Sequence, residues 1–192
     1  MNSDRMDKLD LELKITEDRL AFFVMVNGRQ VQDEYNTNVV AFFSQFKVDT
    51  SLQKQEYNGR YYTESGFYPL SCSCGSAGCN GFHDGIYQKN KKYSVEWRVD
   101  PKYYANHLPK RYYSFWINNY RKSVLGCWWW LVETLSNSKE YNSEALERLQ
   151  EIVEIMKDWH PKQYAQLMAS RKEYEHYLRV DALLSDIRLN HR

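Results

Sequence analysis

The hydrophobic period of this chain changes partway along it, and that change limits the fold more than any single motif does. Leu9, Leu11, Leu13 and Ile15 alternate with polar residues, the two-residue period of a half-buried strand. LAFFVMV follows, then Asn27-Gly28, then RQVQDEY. Asn-Gly between apolar runs predicts a hairpin, because both positions accept positive φ. Val39, Val40, Phe42, Phe43 and Phe46 fit a short buried helix or a strand, and Asp49–Tyr62, with a second Asn58-Gly59 turn, reads as loop or weak hairpin. Tyr93, Val95, Trp97 and Val99 alternate once more.

Beyond Pro101 the spacing becomes helical. A helix is predicted from Tyr112 to Leu135, weakened at Gly126 by about 1 kcal/mol relative to alanine. A second begins at Ser143, a good cap, and carries the stripe Leu146, Leu149, Ile152, Val153 and Met156. Pro161 suits the first turn of a last helix, with Tyr164, Leu167, Met168, Tyr174, Leu178 and Ile187 as its stripe. Strands first and helices second predict an α+β protein of antiparallel strands followed by a helical half. The boundaries are a β-rich region over 1–100, with a Gly/Cys-rich hairpin at 69–85, and a region of about three helices over 101–192, packed together as one unit.

At 192 residues the chain is long enough to bury a real core. Its formal net charge of +1 commits it to neither nucleic acid nor membrane through a global field. Met1–Asp10 carries Asp4, Arg5, Asp7 and Lys8 without an apolar segment behind them, so no secretory signal is expected. The most apolar run, Val124–Val132, is about half of what a bilayer span needs. A cytoplasmic, reducing location follows as the expectation, and with it thiols or metal ligands in place of disulfides.

Ser71–Gly85, SCSCGSAGCNGFHDG, concentrates that question. Cys72, Cys74, Cys79 and His83 have the spacing C-x-C-x4-C-x3-H. Three thiolates and an imidazole form a closed tetrahedral zinc set, and the surrounding glycines let the backbone turn tightly. Cys127 is an alternative fourth ligand. A glycine-rich hairpin with small buried cysteines explains the same residues without metal, and a reactive thiol at Cys72, Cys74 or Cys79 is a third reading. The segment PLSCSCGSAGCNGFHDG, followed by a strand ending in VEW, resembles one shared by a group of small bacterial and mobile-element proteins. These have a C-x-C-G-x-x-G-C hairpin and then a V-x-W strand. The likeness runs from Pro69 to Trp97; the group has no established activity, so it implies a fold element and no reaction.

From Pro101 to Val132 there is no Asp or Glu. Lys102, Lys110, Arg111, Arg121 and Lys122 are interleaved there with Tyr103, Tyr104, Tyr112, Tyr113, Phe115, Trp116 and Tyr120. Rings with cations suit a protein-binding surface or the stacking of unpaired bases. Equally, Tyr112, Phe115, Trp116, Tyr120 and Val124 at helical spacing suit a core with solvated cations opposite. Phosphate-loop, dinucleotide, zinc-protease and serine-hydrolase motifs are missing, and His107, His160, His176 and His191 are scattered singly.

The expectation is a non-enzymatic binding protein of inhibitor type, the form taken by immunity proteins and phage-type inhibitors of host defence. A protein partner would meet Lys102, Tyr103, Tyr104, Lys110, Arg111, Tyr112, Trp116, Arg121 and Lys122, with zinc as a possible brace and a homodimer through the tryptophan helix as a variant. A single-stranded nucleic-acid binder using 102–122, or a thiol-dependent enzyme, stand as alternatives.

Overall fold

A computed structural model of the protein describes residues 6–16, 19–31, 39–44, 46, 66–67, 85–100, 102, 107–137 and 143–190. In chain order the elements are β1 (Leu9–Thr16), β2 (Arg19–Val26), β3 (Arg29–Gln30), α1 (Val39–Ser44), β4 (Gly66–Phe67), β5 (Ile86–Asn90), β6 (Ser94–Arg98) and β7 (Tyr112–Trp116). They are followed by α2 (Ile117–Ser136), α3 (Ser143–Trp159), α4 (Pro161–Ala169) and α5 (Arg171–Asn190). Antiparallel strands precede helices, and the protein is α+β.

The strands form two antiparallel sheets, β1-β2-β3 and β4-β5-β6-β7. Asn27 and Gly28, at φ 56° and 75°, make the turn between β2 and β3 that their sequence predicts. A side chain at Gly28 would meet no neighbour, so the glycine serves the backbone sign alone. The run at Val39 resolves as helix, with Val39, Ala41, Phe42 and Phe43 buried. Of the alternating Tyr93, Val95, Trp97 and Val99, the last three are buried, whereas Tyr93, just before β6, is exposed.

The predicted start of the first long helix is corrected by the sheet. Tyr112–Trp116 is a strand in register with β6, from Ser94 opposite Trp116 to Arg98 opposite Tyr112, and the helix begins only at Ile117. A five-residue run of rings around one serine fits a pleated surface better than a helix. Pairing with β6 gives it partners that a helix would not. The buried residues are therefore Tyr113 and Phe115, at strand spacing, and then Tyr120 and Val124 at helical spacing.

The final helix is also divided. Ser170 interrupts it, its hydroxyl donating to the Leu167 carbonyl at 2.6 Å and accepting from Trp129 Nε1 at 3.2 Å. The break turns α5 back along α2. Leu167 is buried and Tyr164, Tyr174 and Tyr177 pack partly on the core, whereas Met168 and Leu178 face outward; the Ile187 side chain lies outside the described residues. In α3, Leu149, Ile152 and Met156 are buried and Glu147, Glu151 and Glu154 face solvent, as the stripe predicts.

One apolar core spans both sheets and the helices. Trp97 lies at its centre, with the Phe115 ring at 4.8 Å and those of Phe42 and Tyr120 each at 6.1 Å. Its Nε1 donates to Gln88 Oε1, which also accepts the Tyr120 hydroxyl at 2.8 Å, so these two polar tips are paired, whereas the buried Trp128 Nε1 has no partner among the described residues. The free edge of β1 is covered by α2. Ser123 Oγ donates to the Leu9 carbonyl at 2.7 Å, and one helical turn later Cys127 is bonded by the Leu13 backbone.

Asp7 links the two sheets. Its backbone N–H donates to the Ser114 carbonyl of β7 at 2.7 Å, and Ser114 N–H returns a bond to its carboxylate at 3.0 Å. The turn residue Asn27 donates to the same carboxylate at 2.8 Å, and Lys110 Nζ at 2.7 Å. Burial by itself would raise the Asp7 carboxyl, but the bonds from Lys110, Asn27 and Ser114 outweigh it and hold the group below its ordinary range.

Two predictions follow from this packing. Asp7→Ala removes the acceptor shared by the Ser114 amide, Asn27 and Lys110 and should cost about 2 kcal/mol in urea unfolding. Because the native carboxyl titrates low, its contribution is complete above the unfolded value near ~4 and is lost as pH falls through the native value; the variant should lack that part of the acid slope. Gly126 sits in α2 with no atom within 4 Å of where a Cβ would lie. Gly126→Ala should therefore stabilise the protein by about 1 kcal/mol, read as a higher thermal midpoint; a lower midpoint would contradict the open space.

Candidate partner-binding face

The strand alternation that buries Val95, Trp97, Tyr113 and Phe115 sends their neighbours to the opposite face of the four-stranded sheet. That outer face carries Tyr87 and Lys89 from β5, Glu96 and Arg98 from β6, and Tyr112, Ser114 and Trp116 from β7. Each of these is at least partly exposed, and Tyr112 is 62% exposed.

Register aligns them into rows. Tyr87 pairs with Arg98, and Arg98 with Tyr112, across three adjacent strands. The Arg98 guanidinium carbon lies 5.0 Å from the Tyr87 ring centroid. Arg111, just before β7, places its own 5.7 Å from the Tyr112 ring. Such contacts contribute about 0.5–1 kcal/mol each at an exposed site, enough to orient a side chain without sequestering its N–H groups. Among the described residues neither arginine has a carboxylate partner. The next row pairs Lys89 with Glu96 and Glu96 with Ser114, and Glu96 is ion-paired to Lys91.

Three other cations of the acid-free stretch, Lys110, Arg121 and Lys122, are paired within the chain. Lys110 is held by Asp7, a hydrogen bond that raises its ammonium above the ordinary value. Arg121 meets Glu173 with two parallel bonds, Nε to Oε1 at 2.7 Å and Nη2 to Oε2 at 2.6 Å, and Tyr177 donates to the same carboxylate. Lys122 is ion-paired to Asp181. The carboxylates missing from the stretch itself are thus supplied by the segment before β1 and by α5. Arg171 adds to the α2–α5 seam, bonded to Glu133 and Glu175 with its guanidinium 5.0 Å from the Trp129 ring.

Of the nine residues expected to meet a partner, the sheet brings Tyr112 and Trp116 together with the adjoining Arg111. It places Lys110, Arg121 and Lys122 in intramolecular ion pairs. Lys102 is exposed, its backbone N–H bonded to Asp100, and Tyr103 and Tyr104 lie outside the described residues. Tyr87, Lys89 and Arg98 are additions that the sequence reading missed. The outward direction of Arg98 follows from the alternation of Val95 to Val99, whereas the placement of Tyr87 and Lys89 and the alignment with Tyr112 depend on register.

Cys72, Cys74, Cys79 and His83 lie outside the described residues, in the connection between β4 and β5; the strands on either side of it pair antiparallel. Among the described residues no three His, Cys, Asp or Glu side chains cluster as a metal site would. Cys127 is sealed between α2 and β1. Burial pushes its thiol well up, the charge of Glu12 adds to the shift, and the Leu13 bond offsets only part. Such a thiol stays protonated at neutral pH. In the tryptophan helix, Trp128 and Trp129 are buried inside the chain and Trp130 packs partly on the core. Among the described residues no helix is long and apolar enough to cross a membrane.

No family model, no curated protein and no solved structure matches the chain.

The ion pairs make one prediction against the simple sequence reading. Arg121→Ala should release the Glu173 clamp and speed amide exchange across Arg171–Asn190 by roughly tenfold, since a partly buried bidentate pair contributes about 1–2 kcal/mol. Unchanged exchange in α5 would show that the pair does not hold the helix.

Proposed function

We propose that this protein is a non-enzymatic, inhibitor-type binding protein that acts through protein–protein contacts, with the outer face of the four-stranded sheet as its contact surface. The observation that carries this reading is the pair of exposed arginines on tyrosine rings, on a sheet whose outer face also carries Trp116, in a chain where Lys110, Arg121 and Lys122 are paired internally. Tyr, Trp and Arg dominate binding energy at protein interfaces, because they combine large apolar area with fixed polar groups. An inhibitor of the immunity or anti-defence kind acts by occupying a surface and needs no catalytic centre.

Affinity capture from the native host checks the reading. Wild type and Arg121→Ala should retain the same partner, whereas Tyr112→Ala should lose most of it; the absence of any reproducible partner would overturn the proposal. Single-stranded nucleic acid is the second reading, favoured by rings on an open sheet. It requires oligonucleotide affinity that falls steeply with salt.

A zinc brace at Cys72, Cys74 and Cys79 belongs to the same proposal as a means of fixing the β4–β5 connection. The sealed thiol of Cys127 supports His83 as the fourth ligand. Elemental analysis should find one zinc per chain, lost in Cys74→Ser and retained in Cys127→Ser; a metal-free wild type would remove the brace, and thiols reactive at neutral pH would favour a thiol enzyme.

A further inference from the structure

We propose that the sheet face recognises a carboxylate-bearing segment of its protein partner, gripped by Arg98 and Arg111; this rests on the protein-binding reading above. Each guanidinium lies against a tyrosine ring, Arg98 against Tyr87 and Arg111 against Tyr112. Tyr112 also flanks Arg98 in the strand register. A guanidinium held over a ring by cation–π attraction keeps N–H groups free, and a carboxylate can accept two parallel bonds from them. The rings thus fix the orientation before binding, which lowers the entropy lost when the ion pair forms.

The protein shows this chemistry within itself. Arg121 grips Glu173 through Nε and Nη2 in the geometry that Arg98 and Arg111 would offer a partner. The difference is that the two sheet arginines have no such acid among the described residues.

Charge selects the partner class. A nucleic-acid strand presents a phosphate at every step and needs a matching run of cations. The outer face offers Arg98 and Lys89, with Arg111 at its margin against Tyr112, but Glu96 stands in the same surface beside Arg98 and is tied to Lys91. That interrupted row offers no matching cation for each step of a phosphate backbone, whereas carboxylates on flexible glutamate side chains can reach the two arginines past Glu96. The net charge of +1 adds no general attraction for phosphate.

The test is fluorescence anisotropy with dye-labelled oligoglutamate, alongside oligoserine and oligothymidylate of equal length. Oligoglutamate should bind and oligoserine should not. Arg98→Ala and Arg111→Ala should each weaken binding about tenfold or more, the scale of a lost charge-assisted hydrogen bond. Arg98→Lys should not restore it, because an ammonium lacks the fork, and Arg121→Ala should bind as wild type does. Arg111 lies outside the strands, so its variant tests the idea even if Arg98→Ala proves poorly folded by circular dichroism. No binding of oligoglutamate, or binding indifferent to both arginines, overturns the proposal, as does oligothymidylate binding alone. A captured partner that depends on Tyr112 but on neither arginine would sink this inference and leave the protein-binding reading standing.

Discussion

The burial of Trp97 is the constraint from which the rest of the structure follows. Its ring is 1% exposed, surrounded by Phe42, Phe115 and Tyr120, and its single donor is satisfied by Gln88. Full burial of one such ring stabilises the fold by about 2–3 kcal/mol, and three of its neighbours are also rings. Strand geometry then leaves no freedom on the other side. With Val95 and Trp97 inward, Glu96 and Arg98 must point outward, and a slip of one residue would exchange the two sets at the cost of the core. The candidate site is therefore held in place by residues that never touch a partner.

Carboxylates decide what the cations do. In sequence, Lys110, Arg111, Arg121 and Lys122 look alike, a basic series among rings with no acid nearby. Folding divides them. Asp7 takes Lys110, Glu173 takes Arg121 and Asp181 takes Lys122, each from a segment distant in the chain. These pairs fix the N-terminal segment against β7 and α5 against α2, so they are spent on architecture. Arg111, and Arg98 from outside the acid-free stretch, remain at the sheet surface on their tyrosine rings.

Asp7 shows how a buried charge serves a junction. Its carboxylate collects bonds from a turn side chain, a strand amide and a lysine, while its own amide joins β7. The desolvation cost is offset because donors from each of the two sheets converge on it. Because its partners come from both sheets, the contact reports on the relation between the sheets as well as on local stability.

The sequence by itself determined the class of structure and several elements within it. Alternation at Leu9–Ile15 and Val95–Val99, the Asn27-Gly28 turn, and the apolar stripe from Leu146 to Met156 are local patterns, and local sterics and periodicity suffice to produce them. The tertiary structure alone decided that Tyr112–Trp116 pairs as a strand, that the last helix breaks at Ser170, and which cations face out. Those outcomes depend on partners far away in the chain: β6 for the strand, Trp129 for the serine, and Asp7, Glu173 and Asp181 for the charges. A ring or a lysine carries no local mark of the neighbour it will meet, because pairing energy exists only once the distant group has been brought beside it.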